Sequence, residues 1–471
     1  RVFSQIYANN KIVNSNLSKD EIKKMKSNIF INGPTGSGKT FMIEEILSKF
    51  CVMFLIRLSA LLFLLVGFSF AYKGVGCADG VNIGNVELKG LRFTKEQVVL
   101  RELQLKSGAL YSDSLFEADA RRLESLDIFS NIELSCEKNG NVLNLTFQFT
   151  EIFPLIPAPA GKKTDQDGWM LGAALAYLNL AGEDIRVETQ YRTSVSPWFD
   201  ANEYAVYLSS PWLFGLPFSW NLEFLRTDSY DELRNYQAES WLSDLDLEWH
   251  FQKPYALLLA LAYRYVEPFG HVPEIGAGFA IDTRDSPLDS RKGIYEEMLI
   301  TKVGGWLDSP DDYVEYLIDL RGYFTLNRFI SGASILFRYR PGEVAFFDRF
   351  HHGGANSFRG YEADSLRHGE SEVILNFEER FVLLERRPVN LGGFHFFYGV
   401  QLVAGLDGSI LWNDGSPEKE NFAGAVYGGI HLLIPALERL RIEVGYSPDT
   451  KEAKFFVGLY EKNVSQRWRS R

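Results

Sequence analysis

Histidine and cysteine are scarce in this sequence, at 7 and 3 among 471 residues. Three cysteines, Cys51, Cys77 and Cys136, are too few for a disulfide framework or a four-thiolate metal site. No G-x-S-x-G or H-E-x-x-H pattern occurs, so neither a serine nucleophile elbow nor a zincin helix is written here. Positive charge is also short. With 49 Lys and Arg against 61 Asp and Glu, the net charge is −12, which disfavours a nucleic acid held by phosphate neutralisation. A mean hydropathy of −0.11 excludes a polytopic helical membrane protein. It does not exclude a membrane β-barrel, whose strands hide their apolar residues in alternation. What is abundant is aromatic residues, at 14% with Phe 36 and Tyr 22, together with Gly 40.

The chain has two beginnings. Residues 1–52 contain Gly33-Pro34-Thr35-Gly36-Ser37-Gly38-Lys39-Thr40, a full G-x-x-x-x-G-K-T between an apolar strand pattern (Ile29–Ile31) and a helical one (Phe41, Ile43, Ile46, Leu47). In a working phosphate cradle the amides near Gly33 and Gly38 wrap the phosphates, Lys39 neutralises them and Thr40 holds Mg²⁺. The segment resembles the front of an AAA+ P-loop ATPase. About thirty residues on either side cannot supply the parallel sheet and acidic strand end that such a domain requires. Residues 1–52 are therefore expected to be a truncated NTPase-like fragment joined in frame and not to function, and no cofactor or metal is expected. From Met53 the sequence reads MFLIRLSALLFLLVGFSFA, with Arg57 in front of an apolar run from Leu58 to Phe70. Residues 53–78 therefore read as a signal peptide with two candidate cleavage points, after Ala71 and after Ala78.

Residues 79–151 read as a small α+β domain. Val81–Leu88 alternates as a strand. Thr94–Gln97 and Ser114–Glu117 each read as a capping box opening a helix, and Asn139-Gly140 reads as a hairpin turn. Cys136 reads as a core filler in the strand before that turn. The combination V-x-L-K-G-L-x-F-T, R-E-L-x-L-K-x-G-x-x-Y and R-R-L-x-S-L-x-I-F-S-x-I over 86–132 resembles a polypeptide-transport-associated (POTRA) domain. That resemblance implies capture of extended clients by backbone pairing at a strand edge.

Residues 152–471 read as an outer-membrane barrel. The stretch Phe153–Gly161, with Pro154, Pro157 and Pro159, reads as a stiff junction unable to continue a ladder. Beyond it, apolar and charged residues alternate in runs of about ten. Tyr191 opposes Arg192, Trp249 and Phe251 oppose Asp244 and Glu248, and Tyr316 and Phe324 oppose Glu315 and Asp319. An apolar face in lipid and a charged face in a wet lumen explain that pattern, and about 20 residues per strand and connection give about sixteen antiparallel strands. The fold class is mainly β: a transmembrane antiparallel barrel preceded by one POTRA domain.

Two motifs go beyond a generic porin. Asp282-Thr283-Arg284-Asp285-Ser286-Pro287 followed by Gly293 resembles the D-T-R-D-x-P…G segment of the outer-membrane assembly and translocation superfamily, the bacterial surface antigen type. Phe347–Tyr361 resembles that family's inward loop, with the tip Phe358-Arg359-Gly360-Tyr361. The resemblance implies that Arg359 pairs with a carboxylate across the lumen, Asp407 or Glu379. It further implies insertion, assembly or translocation of unfolded outer-membrane or secreted polypeptides, with a lipid bilayer as surroundings and periplasmic chaperones or accessory lipoproteins as further partners. His351-His352 reads as part of the loop and not as a ligand pair. A passive porin-like channel and a nucleotide-binding fusion are the competing readings, and no catalytic set is expected.

Overall fold

The computed structural model describes residues 74–459, apart from 165–167, 196–200, 232–235, 288, 355–356, 362–367, 414, 416, 419–420 and 436–437. The P-loop residues, the apolar run of the signal segment and the tail after Leu459 lie outside the described residues.

The first domain runs strand β1 (Asn82–Lys89), helix α1 (Glu96–Glu102), helix α2 (Asp113–Glu124), β2 (Phe129–Asn139) and β3 (Val142–Glu151). The sheet order is β1-β3-β2, with β1 parallel and β2 antiparallel to β3. Val98, Val99, Phe116, Leu123, Phe129, Phe147 and Phe149 form the core between helices and sheet. Both caps differ from the sequence reading. Helix α2 starts two residues early, on Ser112, whose hydroxyl accepts from Leu115 N–H. Helix α1 has Lys95 at its N-cap and no side-chain cap. The Thr94 hydroxyl instead accepts from Asn179 of the barrel, while the Glu151 carboxylate accepts the N–H groups of Arg92, Phe93 and Thr94 at 2.6–2.9 Å. A distant carboxylate has replaced the local cap, which no window of sequence displays. Cys136 packs against this core as read, but as one half of a disulfide with Cys77 that the sequence reading did not expect.

The barrel is one sheet of 16 strands: β4 (Leu155–Thr164), β5 (Gly168–Leu180), β6 (Ile185–Ser194), β7 (Asn202–Ser210), β8 (Phe218–Asp231), β9 (Tyr236–Gln252), β10 (Tyr255–Val266), β11 (Gly270–Asp282), β12 (Gly293–Gly304), β13 (Asp312–Leu326), β14 (Phe329–Tyr339), β17 (Ser371–Leu391), β18 (Phe394–Trp412), β19 (Phe422–Ile434), β20 (Glu438–Ser447) and β21 (Glu452–Leu459). A two-stranded ribbon, β15 (Phe350–His351) with β16 (His368–Gly369), sits in the long connection between β14 and β17. Tyr191, Trp249, Phe251, Tyr316 and Phe324 face outward, whereas Arg192, Asp244, Glu315 and Asp319 are buried inside. This is the alternation that a barrel in lipid requires.

The stretch Phe153–Gly161 departs from its reading as a junction, since β4 begins at Leu155 and contains two of the prolines. It can do so because it is an edge strand. Leu178 N–H donates to the Pro154 carbonyl, and β4 keeps that register along β5 through Ile156↔Ala176 and Ala158↔Ala174. Even-numbered residues therefore bond to β5, and Pro157 and Pro159 turn their donor-less nitrogens toward the free edge. The last strand, β21, comes alongside that edge, but among the described residues no ladder joins β21 to β4.

The POTRA domain rests on the barrel's turns. Gln97 donates to Glu183 at 2.8 Å, beside a Lys95–Glu183 ion pair, and Arg101 meets Asp184 at 3.2 Å. The Trp212 indole donates to Glu102, and the Arg386 guanidinium donates to the Glu124 carbonyl. The hydrogen bond from Lys95 holds the Glu183 carboxyl below the usual carboxylate range. That contribution is complete above the unfolded value and is lost as pH falls through the lowered one.

Asp119 is fully buried and accepts the N–H groups of Gln104 and Leu105 beside Arg122. Asp119→Ala should lower the POTRA domain's stability by about 2–3 kcal/mol, since it strands the buried Leu105 donor, the Gln104 donor beside it and a cation. Protease protection of the domain in the purified protein measures this, and an unchanged cleavage rate would contradict it.

Candidate functional site in the barrel lumen

The β14–β17 connection folds back into the barrel and presents Arg359 to the strands that follow. The guanidinium is bidentate to Asp407 on β18, at 2.7 Å from each oxygen, and the Arg359 backbone N–H donates to the same carboxylate at 2.9 Å. Its remaining arm reaches Glu443 on β20 at 3.1 Å, and its plane lies over the Tyr427 ring on β19. Asn376 on β17 donates to Asp407 at 2.7 Å and to the Ser357 carbonyl at 3.3 Å. One side chain thus touches three consecutive strands, and Asn376 links a fourth to the same carboxylate. Arg suits this because its planar fork satisfies a carboxylate with two parallel bonds while the face remains free for an aromatic ring.

The tip is held by shape as well as charge. Phe358 is fully buried, with the tilted Tyr361 ring 5.3 Å away. Gly360 has ordinary backbone angles, and its reason is space: an added Cβ would come 2.8 Å from Ser447 and into the Phe358 ring. Opposite, a side chain at Gly445 would collide with the Arg359 carbonyl. Deeper in the loop, His352 is buried between Glu372 at 2.6 Å and Ser409, while His351 sits in the ribbon near His368.

Glu379 is not a partner of Arg359. On β17 it alternates with Arg380, so when Arg380 faces the lumen Glu379 faces outward, where it accepts from Ser331. The second carboxylate is Glu443, which the sequence reading missed. Its signal was available in the alternation of Arg441, Glu443 and Gly445 along β20. Glu378, His431 and Glu443 place one ligand atom each within 4.8 Å. Glu378 accepts from Tyr427 and pairs with Arg380, Glu443 pairs with Arg359 and with His431 Nε2, and Arg439 lies 3.9 Å from Glu378, so the three belong to one network of ion pairs.

The Asp282–Gly293 segment joins β11 to β12 at the POTRA end. Arg284 is bidentate to Asp282 at 2.7 and 2.9 Å and stacks on Tyr295. Asp285 accepts the N–H groups of Arg291 and Lys292. Gly293 has φ +103°, and a Cβ there would press on the Thr283–Arg284 backbone. The residue that reaches farthest was not singled out in the sequence. Asp289 crosses the lumen to Arg380 at 2.7 Å, Gln401 at 3.0 Å and Arg439 at 3.2 Å, while Arg291 is bidentate to Glu385. The turn is therefore a second insert, fastened to β17, β18 and β20. Between it and the POTRA domain a cavity of about 720 Å³ remains, with Asp184, Asp246, Glu248, Asp282 and Glu297 among its lining.

A sixteen-strand barrel with a POTRA domain at one mouth and an arginine loop returned into its lumen defines an outer-membrane barrel that handles polypeptides. The chain belongs to the Omp85 superfamily: the Omp85 superfamily domain matches residues 181–459, more than half of the chain, and the surface antigen variable number repeat, a POTRA family, matches residues 81–151. A comparison with curated protein sequences returns no match. Among solved structures the chain is similar to CdiB from Escherichia coli, with 14% identity and a TM-score of 0.54 over 80% of this chain and 75% of that one. It is also similar to BamA from Haemophilus ducreyi lacking POTRA domains 1–3, with 13% identity and a TM-score of 0.46 over 80% and 83%. At these identities the likeness speaks to fold. The barrel lies in the outer membrane with the POTRA domain on its periplasmic side.

Arg359→Ala leaves Asp407 and Glu443 buried without their cation, a loss of about 3–5 kcal/mol for a broken buried pair. The loop should leave the lumen, raising single-channel conductance in planar bilayers, and Arg359→Lys should fail to restore the wild-type level because it cannot form the fork. Conductance unchanged in both variants would show that the loop is held by other contacts. Asp289→Ala should expose the β11–β12 turn to protease added from the POTRA side, without changing loop exposure on the opposite side.

Proposed function

We propose that this outer-membrane assembly and translocation barrel passes its clients through the β4–β21 seam, with the Arg359 loop holding the adjoining strands in place. The observation that carries this reading is the edge of β4. Two of its seam-facing positions, Pro157 and Pro159, have no N–H to give. Among the described residues, every other pair of neighbouring strands in the sheet is joined by a hydrogen-bonded ladder. An opening barrel yields where the fewest bonds must break, and a client strand that supplies its own donors and acceptors can pair there. The clients are unfolded outer-membrane or secreted polypeptides, and periplasmic chaperones or accessory lipoproteins would deliver them to the POTRA domain. The cavity beneath the β11–β12 turn, lined by carboxylates and by Arg186, Arg284 and Arg321, lies between that domain and the lumen and offers a wetted path.

Replacing both prolines tests this. Pro157→Val with Pro159→Val restores two seam-facing donors, each worth about 1 kcal/mol net, so the open seam should become about thirtyfold rarer. In liposomes containing the protein, the folding or uptake of an added urea-unfolded outer-membrane barrel should slow correspondingly. A photo-crosslinker at Leu155 should capture less of that client. Equal rates and equal capture in the double variant would refute the seam route, and the absence of any client effect in the wild type would refute the function.

A further inference from the structure

The POTRA sheet has its free edge on β2, and that edge is already occupied. Val75 forms a parallel bridge with Ser135: Val75 N–H donates to the Leu134 carbonyl and Cys136 N–H donates to the Val75 carbonyl, both at 2.9 Å. Two residues on, Cys77 is disulfide-bonded to Cys136 of the same strand. The backbone of this short segment is fitted to its place. Gly74 is buried, and a Cβ there would meet the Cys77 sulfur and come 2.7 Å from the Tyr111 hydroxyl. Gly76 has φ +76°, and a Cβ there would come 2.8 Å from the Cys136 carbonyl oxygen. The other edge of the sheet is partly covered too, because the Val81–Ile83 part of β1 exchanges backbone bonds with Ala109 and Tyr111.

We propose that residues 74–77 are a built-in occupant of the client-binding edge, and that the Cys77–Cys136 disulfide sets whether an unfolded polypeptide can displace them. The inference rests on the reading that the POTRA edge takes extended polypeptide. A bridge of two backbone bonds is weak by itself, at about 1 kcal/mol per bond. The chain already joins the segment to β1, and the disulfide closes it onto β2 a second time, raising its effective concentration beyond what a dilute client can outcompete. Reduction opens that second closure and leaves only the two bridge bonds, which a strand running parallel to β2 can displace to reach Leu134 C=O and Cys136 N–H. The chemistry is a two-electron exchange: an external dithiol passes two electrons and two protons to the Cys77–Cys136 bond, yielding two thiols and an oxidised dithiol. The proposal also decides between the two cleavage points. Cleavage after Ala71 keeps the segment, whereas cleavage after Ala78 would discard Cys77 and leave Cys136 alone.

The experiment uses the full mature protein from the outer-membrane fraction, with a photo-crosslinker at Glu133, which is exposed on β2 beside the bridge. The probe is a fluorescent peptide with the sequence of residues 452–459, an extended amphipathic strand. Cross-linking should be low in the oxidised protein and rise about tenfold on reduction, with the Cys77→Ser/Cys136→Ser variant matching the reduced protein in both conditions. Alkylation and mass measurement should find no free thiol before reduction and a mature chain starting at Tyr72. A start at Asp79, or equal cross-linking at Glu133 in oxidised and reduced protein, overturns the proposal. A parallel crosslinker at Leu155 separates the two readings. Capture at Leu155 with no redox response at Glu133 removes the occupied-edge proposal alone, and capture at neither site removes the polypeptide-handling function with it.

Discussion

In hydrocarbon a backbone donor or acceptor without a partner costs several kcal/mol, which is why a sheet can cross a membrane only as a closed ring. This barrel places two prolines on the strand that has to complete the ring. Pro157 and Pro159 lack the donor whose exposure would be costly, so the edge of β4 is tolerable without a ladder, and for the same reason it cannot make a full one. Side chains must then hold together what backbone bonds do not. Both inserts in the lumen do so on the same arc of wall. Arg359 joins β18 to β20 through Asp407 and Glu443, and Asp289 joins β17, β18 and β20 through Arg380, Gln401 and Arg439. The stretch of barrel next to the weak junction is thus cross-braced from two sides.

That division of labour decides what can move. A broken buried ion pair costs about 3–5 kcal/mol, because it leaves an unneutralised charge, whereas a ladder bond contributes about 1 kcal/mol net. Opening the β4–β21 seam breaks few bonds. Pulling the loop tip out strands Asp407, Glu443 and the guanidinium together. The seam is therefore the compliant element and the loop the rigid one. The loop works as a brace that keeps β18 to β20 in register while the neighbouring edge is exposed.

The parts of the fold governed by period-two alternation were legible in the sequence: sixteen strands, their inward and outward faces, and the order of elements in the first domain. Arg359 and Asp407 were legible through the resemblance of their motifs to the family's, while the need of a lumenal arginine for a carboxylate left Asp407 and Glu379 both open. The misses share a cause. Glu379 rests on a motif match that ignores strand faces, since Glu379 and the buried Arg380 point to opposite sides, while Glu443, two residues from the buried Arg441, carries no such motif. Asp289 was overlooked because nothing local distinguishes a turn that hangs in solvent from one that crosses a lumen. The prolines of β4 argue against a strand only if the strand is central, and edge status depends on how the whole sheet closes. The caps of α1 and α2 and the pairing of Cys77 with Cys136 depend in the same way on partners 57 to 85 residues away or on a shift of two residues, beyond what local pattern encodes.

Two strand edges in this protein are open to the same kind of ligand, and they are managed in opposite ways. The β2 edge of the POTRA domain is soluble, so leaving it bare would invite pairing with any extended chain in the periplasm. It is covered by Val75 and pinned by a disulfide, a bond that persists in an oxidising compartment. The β4 edge faces lipid, where stray chains are rare and a ladder would be hard to break, and it is weakened by proline. An edge that meets many chains is guarded by adding a partner, and one that must part on demand is loosened by removing donors. Both choices alter the count of available backbone bonds, so the affinity of each edge for a client strand is set without any side chain having to recognise that client's sequence.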